Sequence, residues 1–306
     1  MTEFRGRDIV SIADFSRQEL DYILKTTDGI EDLAKRKPDL IKGKTCAILF
    51  FEPSTRTRLS FQAAVQRLGG FVLDMSEPRS SSIEKGENLT DTIRVVQNYA
   101  DVIVLRHPLE GSARLAAEVA DVPIINAGSG AEEHPTQAML DLYTMMREMG
   151  SIDGLKVALL GDLRYGRTVH SLASALSLYD VKLYLVSPEA LRMRREFVEL
   201  ARQRIEVQEF ESLEPIIKDI DVLYVTRIQK ERFADPAEYA KLKGYYKITA
   251  ETARKMKPNA IIMHPLPKVD EVAPEVDLMP QARYFKQVYY GLLTRMALLA
   301  LVLGAL

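Results

Sequence analysis

Cysteine is almost absent: Cys46 is the only one in 306 residues. A single thiol excludes an intrachain disulfide framework and a cysteine-rich zinc site built from this chain alone. It lies in the apolar run 45–51, where it reads as a small buried hydrophobe. An excess of one charge is also missing, since 41 Lys and Arg stand against 43 Asp and Glu for a net charge of −2. A chain so balanced lacks the broad basic field of a nucleic-acid binder, so an anionic ligand must be met by a local cluster of cations. No hydrophobic run is long. The most apolar stretch, 297–306, is about half a membrane span. The opening MTEFRGRDIV has no apolar core of a secretion signal, so the expected location is cytoplasmic. Internal repeats and low-complexity tracts are lacking as well.

What is present is 47% hydrophobic and 27% charged residues, the make-up of a packed globular protein, at a length of about two domains. Short apolar runs bounded by turn signals alternate with amphipathic helical patterns. Strand candidates in the first half are 46–51, 71–75, 102–105 and 124–126, with helical patterns at 58–68, 89–99 and 112–120. The second half repeats the alternation with strand candidates at 157–160, 182–186, 207–210, 222–225 and 261–264. Such alternation predicts an α/β chain of two doubly wound domains with parallel sheets. The pattern 136–149 reads as a linker helix, ended by Gly150. Residues 1–134 then form one domain, 135–149 the linker and 150–285 the second domain. The last stretch, 286–306, is apolar nearly all round from Leu292 on, so it reads as a buried helix packing back between the domains. A membrane or partner-binding helix is the competing reading.

In open parallel sheets ligands sit at the carboxyl ends of the strands. After the first strand comes Glu52-Pro53-Ser54-Thr55-Arg56-Thr57-Arg58. Hydroxyls and a guanidinium at a helix N-terminus, where unpaired N–H groups and the positive dipole end collect, are suited to an anion. Ser54 or Thr55 could equally be an ordinary N-cap. Capping leaves Arg56 and Arg58 unexplained, because cations in a first turn oppose the dipole.

The run Ser54-Thr55-Arg56-Thr57-Arg58 resembles the carbamoyl-phosphate motif of the aspartate and ornithine carbamoyltransferases. Further elements of that family follow in order along the chain. They are Val104-Leu105-Arg106-His107-Pro108, His134-Pro135-Thr136-Gln137, the segment from Gly161 to Ser171, Thr226-Arg227-Ile228-Gln229, and His264-Pro265-Leu266-Pro267. The chain resembles the aspartate branch more closely, because the ornithine branch typically has His-Cys-Leu-Pro at the last element and a Ser-Met-Gly element that this chain lacks. The chemistry agrees: a dicarboxylate acceptor calls for additional arginines, which grip carboxylates bidentately.

The resemblance implies a carbamoyltransferase of pyrimidine biosynthesis that needs no cofactor or metal. In it Ser54, Thr55, Arg56 and Thr57 hold the phosphate, and Arg106 reaches both phosphate and carbonyl. His134 donates to the carbonyl oxygen, while Gln137 and the carbonyls of Pro265 and Leu266 bind the carbamoyl NH₂. Aspartate is held by Lys85, Arg167, Arg227 and Gln229. The catalytic set is Arg56, Thr57, Lys85, Arg106 and His134. In the family the loop matching 76–87 reaches from one subunit of a homotrimer into its neighbour's site with a serine and a lysine. Counting back from Lys85 gives Ser81, with Ser80 and Ser82 flanking it, and Glu84 stands where bacterial relatives often carry a second lysine. The family's aspartate enzymes often associate with a zinc-bearing regulatory chain, and this sequence with its one cysteine is not that chain. Two other readings stay open: transfer to ornithine or another amine, and a non-catalytic scaffold. A third, a nucleotide loop at Gly161–Gly166, has neither G-x-G-x-x-G spacing nor a following G-K-[ST].

Overall fold

The computed structural model describes residues 4–36, 38–75, 86–228 and 246–306. The chain divides into two compact units, Met1–Leu140 with Tyr289–Leu306, and Asp141–Val288. Among the described residues, all nine strands fall where the apolar runs lie, and every pairing between them is parallel.

In the first unit the sheet has the order β2-β1-β3-β4, with β1 Thr45–Phe50, β2 Phe71–Met75, β3 Val102–His107 and β4 Ile124–Ser129. The inner strands β1 and β3 are buried on both faces, so they read as unbroken apolar runs. Strand β2, at the edge, is largely exposed. Three helices connect the strands: α2 Thr55–Arg67, α3 Leu89–Val96 and α4 Ser112–Val119. Helix α3 stops three residues short of its apolar pattern. There the Asn98 amide donates to the Arg94 and Val95 carbonyls, taking acceptors the helix needs to continue. Ahead of the sheet lies α1, Arg17–Ala34, closed by a reciprocal capping box between Ser16 and Glu19. The N-terminal segment pairs with β4 through Ile9, whose N–H donates to Ile124 and whose carbonyl accepts from Asn126.

The second unit has five strands in the order β7-β6-β5-β8-β9. They are β5 Lys156–Leu160, β6 Lys182–Val186, β7 Glu206–Phe210, β8 Val222–Val225 and β9 Ile261–Met263. Between them run α6 Arg167–Leu176, α7 Arg195–Arg202 and α8 Ala250–Lys255. Leu160, Val186, Leu223, Val225 and Ile262 form the middle of its apolar core.

Two long helices, α5 Pro135–Met149 and α9 Tyr284–Val302, carry the chain across the division. Every residue of α9 from Met296 to Val302 is buried, as its all-round apolar character requires. It ends at Gly304 (φ 68°), with the Ala305 N–H on the Ala300 carbonyl and the Gly304 N–H on Leu301. No helix among the described residues is long and apolar enough to cross a membrane.

In each sheet the winding reverses beside its first strand, between β1 and β3 and again between β5 and β8. Those reversals open a crevice at the carboxyl ends of the strands.

Candidate functional site

At the first reversal, Ser54 holds the N-cap position of α2 in an extended conformation. Three other helices begin with a side chain of the same kind, and Ser16, Asn88 and Thr249 each accept a first-turn N–H. The Ser54 hydroxyl makes no such bond. A residue suited to capping that does not cap is better matched to an external anion. Thr55 and Arg56 are exposed on the first turn and Thr57 is buried beneath them. Arg58 has a structural task, gripping Asp74 of β2 through both Nε (3.0 Å) and Nη2.

Across the reversal stands Arg106, the last but one residue of β3, paired in register with Phe50 of β1. Its carbonyl accepts the Phe51 N–H at 2.8 Å. Its guanidinium lies 2.7 Å from Glu52 Oε1 and donates to the Ala127 carbonyl at 3.0 Å, so one buried cation ties together the ends of β1, β3 and β4. The Arg–carboxylate pair compensates two charges held out of water. Its neighbour His107 packs against the Phe51 ring, and burial lowers its pKa while the Glu52 charge pulls the other way. The His107 Nδ1 accepts the Leu109 N–H at 3.1 Å.

The turn after β4 is shaped by Asn126, which donates to the Val10 carbonyl at 2.8 Å and accepts the Gly128 N–H at 2.8 Å. Gly130 (φ 50°) passes so close to Glu110 that a Cβ there would lie 2.7 Å from its backbone nitrogen. The chain then enters α5 at Pro135, a favourable first helical residue. The carbonyl of His134 accepts the N–H groups of Gln137 and Ala138 at 3.0 and 3.2 Å. His134 and Gln137 are both buried on this entry turn, at the strand-end side of the sheet that also carries Ser54 and Arg106.

At the second reversal the arrangement recurs. Arg167 opens α6 after β5, Arg227 follows the adjacent strand β8, and both are half-buried. Gly161 (φ 120°) lies so close to β8 that a Cβ would come 2.2 Å from the Thr226 carbonyl oxygen. A Cβ at Gly166 would meet the Asp162 carbonyl oxygen at 2.6 Å. Tight packing therefore explains both glycines without a nucleotide. The Asp162 carboxylate holds the turn by accepting the Arg164 and Tyr165 N–H groups at 3.2 and 2.9 Å. His170 is committed to the same loop, its Nε2 donating to the Leu163 carbonyl at 2.8 Å while its ring stacks on Phe197. Pro265 and Leu266 follow β9, and Leu266 has φ 58°. Ser81, Lys85 and Gln229 lie outside the described residues.

Each unit thus offers a helix N-terminus and an arginine from the neighbouring strand at its own reversal, an arrangement for binding anions in both. Family models match both units. The aspartate/ornithine carbamoyltransferase carbamoyl-P binding domain matches residues 7–147, and the Asp/Orn binding domain of the same enzymes matches 153–302. The chain belongs to the aspartate/ornithine carbamoyltransferase family. It is 55% identical to the aspartate carbamoyltransferase catalytic subunit of Thermococcus onnurineus over 99% of both chains. Among solved structures, the catalytic subunit of M. jannaschii aspartate transcarbamoylase matches at 55% identity and a TM-score of 0.88, covering 96% of this chain and 97% of that one. The Trypanosoma cruzi aspartate transcarbamoylase in complex with carbamoyl phosphate and aspartate matches at 40% identity and a TM-score of 0.94, covering 98% of each chain. Glu52, expected from the sequence to be a structural ion-pair member, is one in the structure, while Asn126 and Asp162 are residues to which the sequence reading gave no task. Glu52 orients Arg106, Asn126 shapes the approach to His134, and Asp162 braces the turn before Arg167.

Proposed function

We propose that the chain transfers the carbamoyl group of carbamoyl phosphate to the α-amine of L-aspartate, giving N-carbamoyl-L-aspartate and phosphate, a step of pyrimidine biosynthesis. The observation that carries this reading is the pair of anion-binding arrangements, one at each sheet's reversal. The names of the relatives supply the acceptor. In the first unit the uncommitted Ser54 hydroxyl, with Thr55, Arg56, Thr57 and Arg106, holds the phosphate. His134 donates to the carbonyl oxygen as negative charge builds there, an oxyanion-hole role. Gln137 and the carbonyls of Pro265 and Leu266 orient the carbamoyl NH₂. Arg167 and Arg227, with Gln229 and Lys85, take the two carboxylates of aspartate, where bidentate guanidinium contacts select a dicarboxylate over ornithine.

The amine attacks as its neutral form, the tetrahedral oxyanion collapses, and phosphate leaves. Three of the chain's four imidazoles are committed to backbone groups, His107 to Leu109, His170 to Leu163 and His264 to Leu266. None of those three serves as base for the amine, so the departing phosphate takes the proton. Holding both reactants in attack geometry supplies much of the acceleration.

Assembly as a homotrimer with sites shared between subunits belongs to the same reading. Supporting it, the edge strand β2 exposes Phe71 at 63% and Leu73 at 44%, and Leu59 of α2 is 56% exposed. Exposed edges of this kind are ordinarily covered. A cytoplasmic location agrees with the soluble character expected of such an assembly.

Substitution separates the two substrate roles. Arg227→Ala is expected to raise KM for aspartate by roughly 10- to 100-fold, the loss of a charge-assisted bidentate contact. Inhibition by inorganic phosphate should stay unchanged in the same variant. If phosphate inhibition fell while aspartate KM held, the assignment of acceptor and donor to the two units would be wrong.

A further inference from the structure

The turn after β9 carries a buried device that the transfer chemistry leaves unassigned. Leu266 is the one non-glycine residue with positive φ among the described residues. A γ-branched side chain there needs surroundings that hold its backbone in place. Its N–H donates to His264 Nδ1 at 2.8 Å. A backbone N–H can only donate, so Nδ1 is the acceptor and the ring's proton is on Nε2. That Nε2 lies 2.7 Å from Glu271 Oε1, and both side chains are buried. The carboxylate also accepts the N–H groups of Val269 (3.2 Å) and Asp270 (3.1 Å), which closes the turn on itself. These donors favour its charged form and hold its pKa below the ordinary value against the opposing effect of burial. The nearby cation Lys268 is engaged elsewhere, 2.8 Å from Asp277.

The backbone of His264 is pinned as firmly as its ring. Its N–H donates to Gln287 Oε1 at 3.0 Å, and Gln287 donates in turn to Asp141 Oδ1 at 2.6 Å. The other oxygen of Asp141 accepts the Tyr224 hydroxyl at 2.8 Å. One end of the turn is therefore fixed by α5, β8 and α9, and the peptide before Leu266 is fixed by the imidazole.

We propose that Glu271, acting through His264, is a positioning residue that sets the Pro265 and Leu266 carbonyls to receive the carbamoyl NH₂. This rests on the carbamoyl-transfer reading. Glu271 touches no substrate. It fixes the tautomer and plane of the ring, and the ring fixes the peptide that carries the first of the two acceptors. Such a role bears on recognition of the NH₂ and leaves the phosphate contacts alone.

The test compares two acyl phosphates on the full chain. Acetyl phosphate carries a methyl group in place of the NH₂, so it has nothing to donate to the two carbonyls. Glu271→Gln is expected to weaken carbamoyl phosphate binding by about tenfold, the loss of a well-aimed hydrogen bond, with kcat toward aspartate falling by a similar factor. Acetyl phosphate and inorganic phosphate should move by less than about twofold, because neither uses the carbonyls. Equal weakening of both acyl phosphates, or of neither, in a folded variant overturns the positioning role. If Glu271→Gln does not fold, Glu271→Asp is judged on the same ratio. Nitrogen NMR of the wild-type His264 ring is a further check, and a proton on Nδ1 would overturn the proposal without any substitution. A wild-type chain that binds neither acyl phosphate overturns the transfer reading and this role with it. One that carbamoylates aspartate while Glu271→Gln keeps the carbamoyl-to-acetyl ratio overturns this role alone.

Discussion

At the residue scale, two serines in the same structural position have been given different work. Ser16 accepts the Glu19 N–H and closes the first turn of α1, while Ser54 leaves the first turn of α2 uncapped. Ser16→Ala should therefore cost about 1 kcal/mol of stability in denaturant titration. Ser54→Ala should cost less than about 0.5 kcal/mol yet weaken phosphate binding, the reverse of what a cap would show. Charge gives a second residue-scale prediction. The Arg7 guanidinium bonded to Glu19, with smaller help from Ser16, lowers the Glu19 pKa from 4.5 to about 2. The unfolded chain binds the proton more readily, so this contribution is complete above the ordinary carboxylate range. It is lost as pH falls from 4.5 toward about 2. After solvent screening it is on the order of 1 kcal/mol. The difference in unfolding free energy between wild type and Glu19→Gln should shrink between about pH 6 and about pH 3. A constant difference would mean the ion pair contributes nothing.

At the scale of elements, strands were the legible part of the sequence. Runs such as 46–50 and 157–160 are buried on both faces, so burial writes an unbroken apolar signal that survives without context. Helix ends were less legible because side chains decide them locally, as Asn98 does for α3. Helix α1 is absent from the expected helices although it carries both the Ser16–Glu19 capping box and a buried stripe of Leu20, Ile23, Leu24 and Ile30 at helical spacing. The candidate phosphate site at Ser54–Thr57 stood out in the sequence because arginines in a first helical turn conflict with the dipole. Half of that conflict has another origin, since Arg58 serves Asp74. The Glu271–His264 contact left no trace, because it joins two residues of one irregular turn with no period to betray it. Packing predictions belong here. Leu298 is wholly buried in α9, so Leu298→Ala should cost about 2–5 kcal/mol in denaturant titration. Gly161→Ala would force a Cβ against Thr226 in a left-handed backbone, and a loss of roughly 2–4 kcal/mol is expected.

At the scale of the whole molecule, one architectural rule is used twice. Two parallel sheets reverse their winding beside the first strand, and each places a helix N-terminus and a neighbouring arginine at the reversal. Carbamoyl phosphate and aspartate are both anions of small size, and in the proposed function a chain of net charge −2 would meet them with these local clusters instead of a broad field. The proposed sharing of sites between subunits has its own test at this scale. Arg56→Ala and Lys85→Ala chains, each nearly inactive, should regain activity when mixed and reassembled, because some sites then draw both intact residues from different chains. Verified mixed trimers that stay inactive would remove the shared site.

The most direct measurement of the central claim is carbamoylation by the purified chain, supplied with carbamoyl phosphate and either L-aspartate or L-ornithine. Formation of N-carbamoyl-L-aspartate, with no product from ornithine, is the predicted result. Product from ornithine alone would contradict the assignment of Arg167 and Arg227 to a dicarboxylate, and product from neither would contradict the transfer itself.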